Sequence, residues 1–392
     1  MKGKKAFYYV VIIYLVRYFG DSLFYNFLNR YYYHLGFSSF ELSVLLALLP
    51  LMAVISNLVL SKVANSNRRN FILLLIWSLL EGLGICGFFF AKDFVFVLLL
   101  DIVCFFCTTS YYNLLDTFGV KICEANSKSF SSIRVFGTIG YILGTFLGGI
   151  FIKKLSYEVT FLIGGSLYLL TCVLLLGFKF IDFKESEEKT KEKVKYRLLF
   201  SNKCFVYYFL FGIILISINN SSDSLYGLFT ASIGVDDDIF GYFSSATVAI
   251  EAILLFLTSF AKKKRFFLLL TIGLLAEIVK LIFFSVPDMN QYFYLASQLL
   301  RGITFGSYLA SNVALIMDVL GEKYFSSGLF ILTSFQQLAL ALINNISPSL
   351  VSLIGYNFTF LILLFISIAS SLFLLLAKKN YNALKEDRRW TI

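Results

Sequence analysis

Apolar stretches long enough to form membrane helices, broken by short polar turns, run through almost the whole chain. They lie at 7–29, 39–61, 70–91, 94–119, 131–152 and 156–180. After a charged interruption they resume at 204–231, 239–261, 266–286, 291–319, 325–349 and 354–377. A helix rises about 1.5 Å per residue, so about 20 residues cross a hydrocarbon core of roughly 30 Å. The pattern therefore predicts an all-α membrane protein with twelve transmembrane helices and both termini on one side. The first stretch has no small-residue cleavage site and reads as span one rather than a leader.

Composition agrees. The 392 residues are 58% hydrophobic and 15% charged, with a mean hydropathy of +0.80, against roughly 25% charged in a soluble domain. The net charge of +10 could suggest nucleic acid, but its distribution gives a different reading. The connections on the side of the termini hold 26 of the 34 lysines and arginines, and the opposite connections hold 4. Basic residues concentrate on the cytoplasmic side of a bilayer, so both termini are expected there, in a cell membrane, with no nucleic-acid partner. The six cysteines fall in spans or on the cytoplasmic side, where a disulfide framework is not expected. The one histidine, His34, falls in an outer loop with no metal-ligand partner and reads as solvated.

Twelve of the 22 residues from Asp182 to Lys203 are charged. This predicts a solvated linker, 182–203, between a six-helix half at 1–181 and a second at 204–392 that ends in a short cytoplasmic tail. The halves echo one another: Glu81 lies 12 residues after Arg69, and Glu277 lies 12 after Arg265. Asp116 and Asp318 each close a span. Paired six-helix halves are a transporter architecture. Gly82, Gly84 and Gly87 spell a dinucleotide fingerprint, but that motif needs a strand before it and here lies inside a membrane helix. Gly140, Gly144 and Gly148 have the small-xxx-small spacing of close helix packing.

Ionisable groups inside a bilayer cost at least about 2.5–3.5 kcal/mol each on insertion scales. Of the charged residues inside these spans, twelve are singled out: Arg17, Asp21, Glu81, Asp101, Asp116, Arg134, Asp223, Glu251, Glu277, Lys280, Arg301 and Asp318. They are expected to face a bundle interior or a watery cavity, and to pair. Arg17 with Asp21, and Glu277 with Lys280, have the spacing of one helix face. Asp116 and Arg134 sit at the ends of consecutive antiparallel spans, where a guanidinium and a carboxylate together suit a solute dense in hydroxyls. Tyr141 lies two turns beyond Arg134 and could stack on a sugar or base. Asn219, Asn220 and Asp223 form a patch on span seven. Glu251, Arg301 and the span-eleven group Gln336, Gln337, Asn344 and Asn345 add polar positions to an expected cavity.

The run Ser132-Ile-Arg-Val-Phe-Gly-Thr-Ile-Gly-Tyr141 resembles the span-five signature of the lactose permease group, the oligosaccharide:proton symporters of the major facilitator superfamily. The resemblance implies that Asp116, Arg134 and Tyr141 contact substrate. Leu299-Leu-Arg-Gly-Ile-Thr-Phe-Gly306 is similar to a span-ten run of that group, and Phe240-Gly-Tyr followed by Glu251 to its span eight. The chain departs from the group at Arg301, often histidine there, and at Thr304, where the group has a carboxylate central to proton release. The cytoplasmic motif after span two is degenerate here, from Ser61 to Arg69, with Asn65 near its acidic position.

These readings point to a secondary transporter importing a sugar or similar small polar solute with protons by alternating access. Asp116, Arg134, Tyr141, Asn220 and Asp223 would bind the solute. Arg17, Asp21, Glu251, Lys280 and Arg301 would serve proton coupling or line the cavity. Drug or metabolite export, or uncoupled facilitation, is the second reading on the same fold. An enzyme or sensor is disfavoured, because no catalytic cluster or appended soluble domain is present. No cofactor or metal is expected, and a two-half bundle works as a monomer in its bilayer.

Overall fold

A computed structural model describes residues 4–63, 66–178, 199–259 and 265–390. Most of the charged linker, and Asn65, lie outside the described residues. Among those described there are helices and no strand. They are α1 (Lys4–Phe24), α2 (Leu28–His34), α3 (Ser39–Val63), α4 (Asn67–Gly87), α5 (Phe94–Ala125) and α6 (Ser131–Lys154). The rest are α7 (Tyr157–Leu176), α8 (Lys203–Ser232), α9 (Asp237–Ser259), α10 (Phe266–Ser285) and α11 (Gln291–Trp390). By length and hydropathy, 10 helical runs can cross a membrane, with α1 and α2 forming one of them. Nine match the first nine expected spans. The tenth is a run of 96 residues, interrupted where Gly321 (φ 71°) and Gly355 (φ 82°) leave helical geometry. Positive φ is nearly free for glycine and strained for other residues, so these two positions suit a chain reversal.

The chain divides into two compact units. The first comprises 1–188 and 227–246, and the second 189–226 and 247–392. The stretch 227–246 takes in the end of α8 and the start of α9.

In the first unit α1 is the central helix, and glycines set how closely its neighbours approach. A Cβ on Gly140 would meet the Leu15 carbonyl. One on Gly144 would come 2.5 Å from the Phe19 carbonyl, and one on Gly148 2.7 Å from the Phe27 ring. The small-xxx-small stripe of α6 is thus the surface on which α1 lies, backbone against backbone. Gly82 and Gly165 do the same for α4 and α7, since a Cβ on Gly165 would sit 2.9 Å from the Gly82 carbonyl. Gly84 and Gly87 instead face Cys104 and Leu100 on α5, so the apparent fingerprint is a packing surface. The core below joins Val10, Tyr14, Trp77, Tyr111, Leu115 and Leu175. In the second unit, Phe205, Tyr208, Phe211, Leu270, Leu315 and Leu374 form the corresponding core.

Large apolar side chains also cover the outside: Leu83 (54%), Leu99 (56%), Val173 (62%), Phe365 (62%) and Leu353 (79%) are exposed. So broad an apolar surface suits lipid as solvent and would aggregate in water.

Candidate functional site

Along α1, Tyr14, Arg17, Tyr18 and Asp21 recur every three or four residues and so share one face, and Tyr25 follows just past the helix end. That stripe organises the polar interior of the first unit. Arg17 is fully buried and donates from Nη2 to Glu81 Oε2 on α4 at 2.6 Å. Its guanidinium carbon lies 3.6 Å from the Tyr168 ring centroid and 3.9 Å from that of Tyr111. Desolvated cation–π contacts of this kind contribute about 2 kcal/mol each. Arg17 Nε and Nη1 have no hydrogen-bond acceptor. The expected Arg17–Asp21 pair is therefore not the one formed. Helical spacing puts both side chains on one face, but the acceptor that meets Nη2 comes from a neighbouring helix. Asp21 instead accepts from the Tyr168 hydroxyl at 2.5 Å, and Glu81 Oε1 accepts from Tyr25 at 2.9 Å.

The second cluster lies on the same α1 stripe, toward its N-terminal end. Arg134 Nη1 donates to both oxygens of Asp116 at 3.0 Å, in line with the spacing of the two residues. Tyr14 donates to Asp116 Oδ1 at 2.8 Å, and the Arg134 guanidinium lies 5.1 Å from the Tyr18 ring centroid. The Arg134 side chain is 45% exposed and that of Asp116 35%. Tyr141, expected as the stacking partner, is half-buried two turns along α6, and the ring that the structure sets beside Arg134 is that of Tyr18. Tyr18 also packs on Tyr14 (centroids 6.0 Å) and Tyr112 (4.9 Å). An aromatic ladder therefore runs from the half-exposed pair to the buried one.

The same division recurs in the second unit. Glu277 and Lys280 are fully buried and paired at 2.9 Å, as their spacing predicts. Lys280 also donates to Ser222 at 2.8 Å and Asn219 at 3.5 Å on α8. Asp223 accepts from Gln298 at 2.6 Å and faces Arg301 Nη2 at 3.3 Å, with side chains 37% and 19% exposed respectively. Asn220 accepts from Asn219 at 3.3 Å. Glu251 is half-buried on α9, where its backbone lies against Gly302. Gln336 donates to Tyr308 and to the Gly212 carbonyl, which ties the polar face of the eleventh expected span into the core.

Four features of the fold are not visible in the sequence pattern. Tyr32 donates to the buried Asp101 at 2.6 Å. His34 lies against Tyr157, with centroids 5.3 Å apart, rather than simply in solvent. Cys104 points its thiol at the Glu81 carbonyl within the helix packing. In the first unit, Arg30 donates to Asp237 (2.6 Å), Thr230 (2.9 Å) and the Val235 carbonyl (2.5 Å). Tyr157 shares Asp237, and Lys153 bridges Asp236 and Asp238. Hydropathy marks Arg30 and Lys153 only as outer-side charges. The Asp236-Asp237-Asp238 run is the signal that points to their partners.

The family model described as the MFS_1 like family matches residues 8–362. Solved structures share the fold at low sequence identity. A mutant form of the nucleoside transporter NupG superposes with a TM-score of 0.81 at 15% identity, covering 94% of this chain and 99% of that one. A POT family transporter in complex with 5-aminolevulinic acid gives 0.75 at 12% identity, with 96% of each chain covered. A bacterial homolog of the human lysosomal transporter Spinster gives 0.74 at 10%, covering 96% and 97%. No curated protein matches the chain by sequence. These are likenesses of fold, and with 10 helical runs long and apolar enough to cross a membrane they give a multi-pass chain on the fold those transporters share.

Proposed function

This chain belongs to the MFS_1 like family, and we propose that it is a proton-coupled secondary transporter importing a sugar or similar small polar solute by alternating access. The observation that carries the reading is the Asp116–Arg134 pair. It is an ion pair in which one guanidinium nitrogen is shared by both carboxylate oxygens, half-exposed on helices long and apolar enough to span a membrane, and flanked by the Tyr14 hydroxyl and the Tyr18 ring. A solute that brings hydroxyls to the pair and a flat apolar face to the ring could displace part of the existing contacts. The site in the first unit then comprises Asp116 and Arg134, with Tyr18 as stacking ring and Tyr141 further along α6; in the second unit Asn220 and Asp223 are read separately as solute-binding positions.

Coupling is assigned to the carboxylates near a buried cation, Asp21 and Glu81 beside Arg17 in the first unit, and Lys280, Glu251 and Arg301 are read as the corresponding charges of the second unit taken by itself. The structural reason is that Arg17 engages Glu81 across from α4, while Asp21, one helical turn along α1, is held by Tyr168. Protonating Glu81 would release Arg17 toward Asp21. We further read the three stretches separated by Gly321 and Gly355 as three spans, which completes twelve, in halves 1–181 and 204–392 joined by 182–203. Both termini are then cytoplasmic, and the transporter works as a monomer.

Nucleosides are a second solute class, because a planar base suits the Tyr14–Tyr18 rings as well as a pyranose does. NupG, of like fold, is named a nucleoside transporter. The test is the substrate-evoked current of proteoliposomes on a solid-supported membrane at two pH values, with saccharides, nucleosides and small aromatic acids. A pH-dependent current from a neutral solute, abolished in Arg134→Ala, is the expected result. A bond to a charged group contributes about 1.5–3 kcal/mol, so removing even one such bond weakens binding about tenfold or more. Unchanged affinity would remove Arg134 from the site. Tracer flux without current would replace the symporter by an uncoupled facilitator.

A further inference from the structure

In the second unit, the start of α10 meets the last turns of α11 around a cavity of about 400 Å³, lined by Arg265, Phe267, Leu268, Thr271, Lys378 and Tyr381. Tyr381 forms its floor. It is 8% exposed, packs on Phe267 at 5.2 Å between centroids, and uses its hydroxyl on Asp318 at 2.6 Å. Cations surround that ring. Arg265 and Lys378 are exposed in the lining, and the Lys385 ammonium stands 4.7 Å from the Tyr381 centroid. Residues 378, 381 and 385 have i, i+3, i+7 spacing and share a face of α11. Among the described residues, the lining carries no carboxylate. Arg265 supplies no side-chain cap to α10, so backbone N–H groups of its first turn add positive potential at the same place. In sequence, Lys262, Lys263 and Lys264 come immediately before it.

The rim is different in kind. Leu268 is 50% exposed, and Leu372 (58%) and Leu375 (64%) are exposed on α11 in the two turns before Lys378. A basic, aromatic-floored cavity with an exposed leucine in its lining, formed in part by a helix that presents further exposed leucines, matches a molecule that is anionic at one end and aliphatic at the other. A free phosphate would need the cations but not the leucines. We propose that this cavity is a binding site for the phosphate headgroup of an anionic membrane phospholipid. Arg265 and Lys378 pair with the phosphate, and the acyl chains run along Leu268, Leu372 and Leu375. Basic pockets between membrane helices at the headgroup level are suited to this role.

The test uses the purified full chain in detergent, titrated with phosphatidylglycerol or phosphatidylcholine of the same acyl chains and read by native mass spectrometry. Wild type should hold phosphatidylglycerol in clear preference. Each basic residue near a headgroup contributes about fivefold. The double variant Arg265→Gln/Lys378→Gln should therefore bind phosphatidylglycerol about thirtyfold more weakly, with phosphatidylcholine unchanged. Arg265→Lys/Lys378→Arg should keep the preference. Equal phosphatidylglycerol retention in wild type and the glutamine variant would overturn the proposal. So would ready displacement of the lipid by inorganic phosphate, which would make the cavity a soluble-anion site. Wild type gives an independent reading, because the preference should fade as ionic strength rises. A preference indifferent to salt would also overturn the assignment.

Discussion

Glu81→Gln and Asp21→Asn, made singly and together, test how the buried cation of the first unit is neutralised. Arg17 is fully buried, bonds Glu81 through one nitrogen, and leaves Nε and Nη1 without acceptors. Breaking a buried pair on one side costs about 3–5 kcal/mol when the remaining charge has nowhere to turn. Here it has an alternative, because Asp21 lies one helical turn away on α1, held by Tyr168. Glu81→Gln alone should therefore cost only about 2 kcal/mol, since Asp21 takes over as counterion and a neutral amide bond remains. Asp21→Asn alone removes one charge-assisted bond and should cost about 1–2 kcal/mol. The double variant strands Arg17 and should cost about 6 kcal/mol, leaving a coupling of about 2–3 kcal/mol beyond the sum. With unfolding entropy of about 2.1 cal/mol/K per residue over this length, the coupling corresponds to about 3 °C in Tm. Thermal unfolding of the four purified proteins in one detergent measures it. Shifts that add to within about 0.5 kcal/mol would refute the exchange, and with it the proposal that Asp21 and Glu81 share the Arg17 charge during coupling.

Other perturbations follow from the same geometry. Gly144→Ala places a Cβ 2.5 Å from the Phe19 carbonyl and should cost about 1–3 kcal/mol by forcing α1 from α6; an unchanged Tm would mean the helices already yield there. Arg30→Gln removes three buried bonds and should cost about 3 kcal/mol. Lys153→Gln, acting on exposed partners, should leave the unfolding temperature where it was; equal destabilisation by the two would show that the buried geometry around Arg30 contributes nothing special. Glu251→Gln should leave the pH dependence of the substrate-evoked current in place, because coupling is assigned to Asp21 and Glu81; loss of that dependence would move the proton to Glu251. Retained proton-driven accumulation would leave coupling to the Arg17 cluster.

Much of the architecture is legible in the sequence because lipid imposes a coarse rule: about 20 apolar residues per crossing, with charge held to the turns. Nine helices appear where the hydropathy pattern puts them. Some pairs within one helix or across one short turn are legible too, since spacing anticipates Glu277 with Lys280 and Asp116 with Arg134, although the same spacing misleads for Arg17 and Asp21. Pairing between helices distant in sequence is not. Arg17 finds Glu81 across 64 positions, and Arg30 finds Asp237 across 207. Spacing on one helix says which face a side chain occupies but not which neighbour covers that face. The tyrosines show the same limit. Tyr14 and Tyr18 on α1 and Tyr25 just past its end carry the polar stripe, yet in a chain with 24 tyrosines and 45 phenylalanines they blend into the apolar background until the fold brings them to charged partners.

Each unit contains an ion pair sealed from solvent and, among its other pairs, one between membrane helices that is partly open. Arg17–Glu81 and Lys280–Glu277 have side chains at 0% exposure. Arg134–Asp116 stands at 45% and 35%, and Arg301–Asp223 at 19% and 37%. The chemistry is the same, but the free energy of opening the pairs differs widely. Separating a sealed pair strands a charge at a cost of several kcal/mol, more than a small neutral solute returns through a few hydrogen bonds of about 1 kcal/mol each. Separating a partly hydrated pair costs on the order of 1 kcal/mol, which one or two such bonds can replace. A binding site must exchange its own contacts for those of the solute, so the open pairs are the ones able to bind. The sealed pairs can change only if a proton first removes one of the charges, which is the property a coupling site requires.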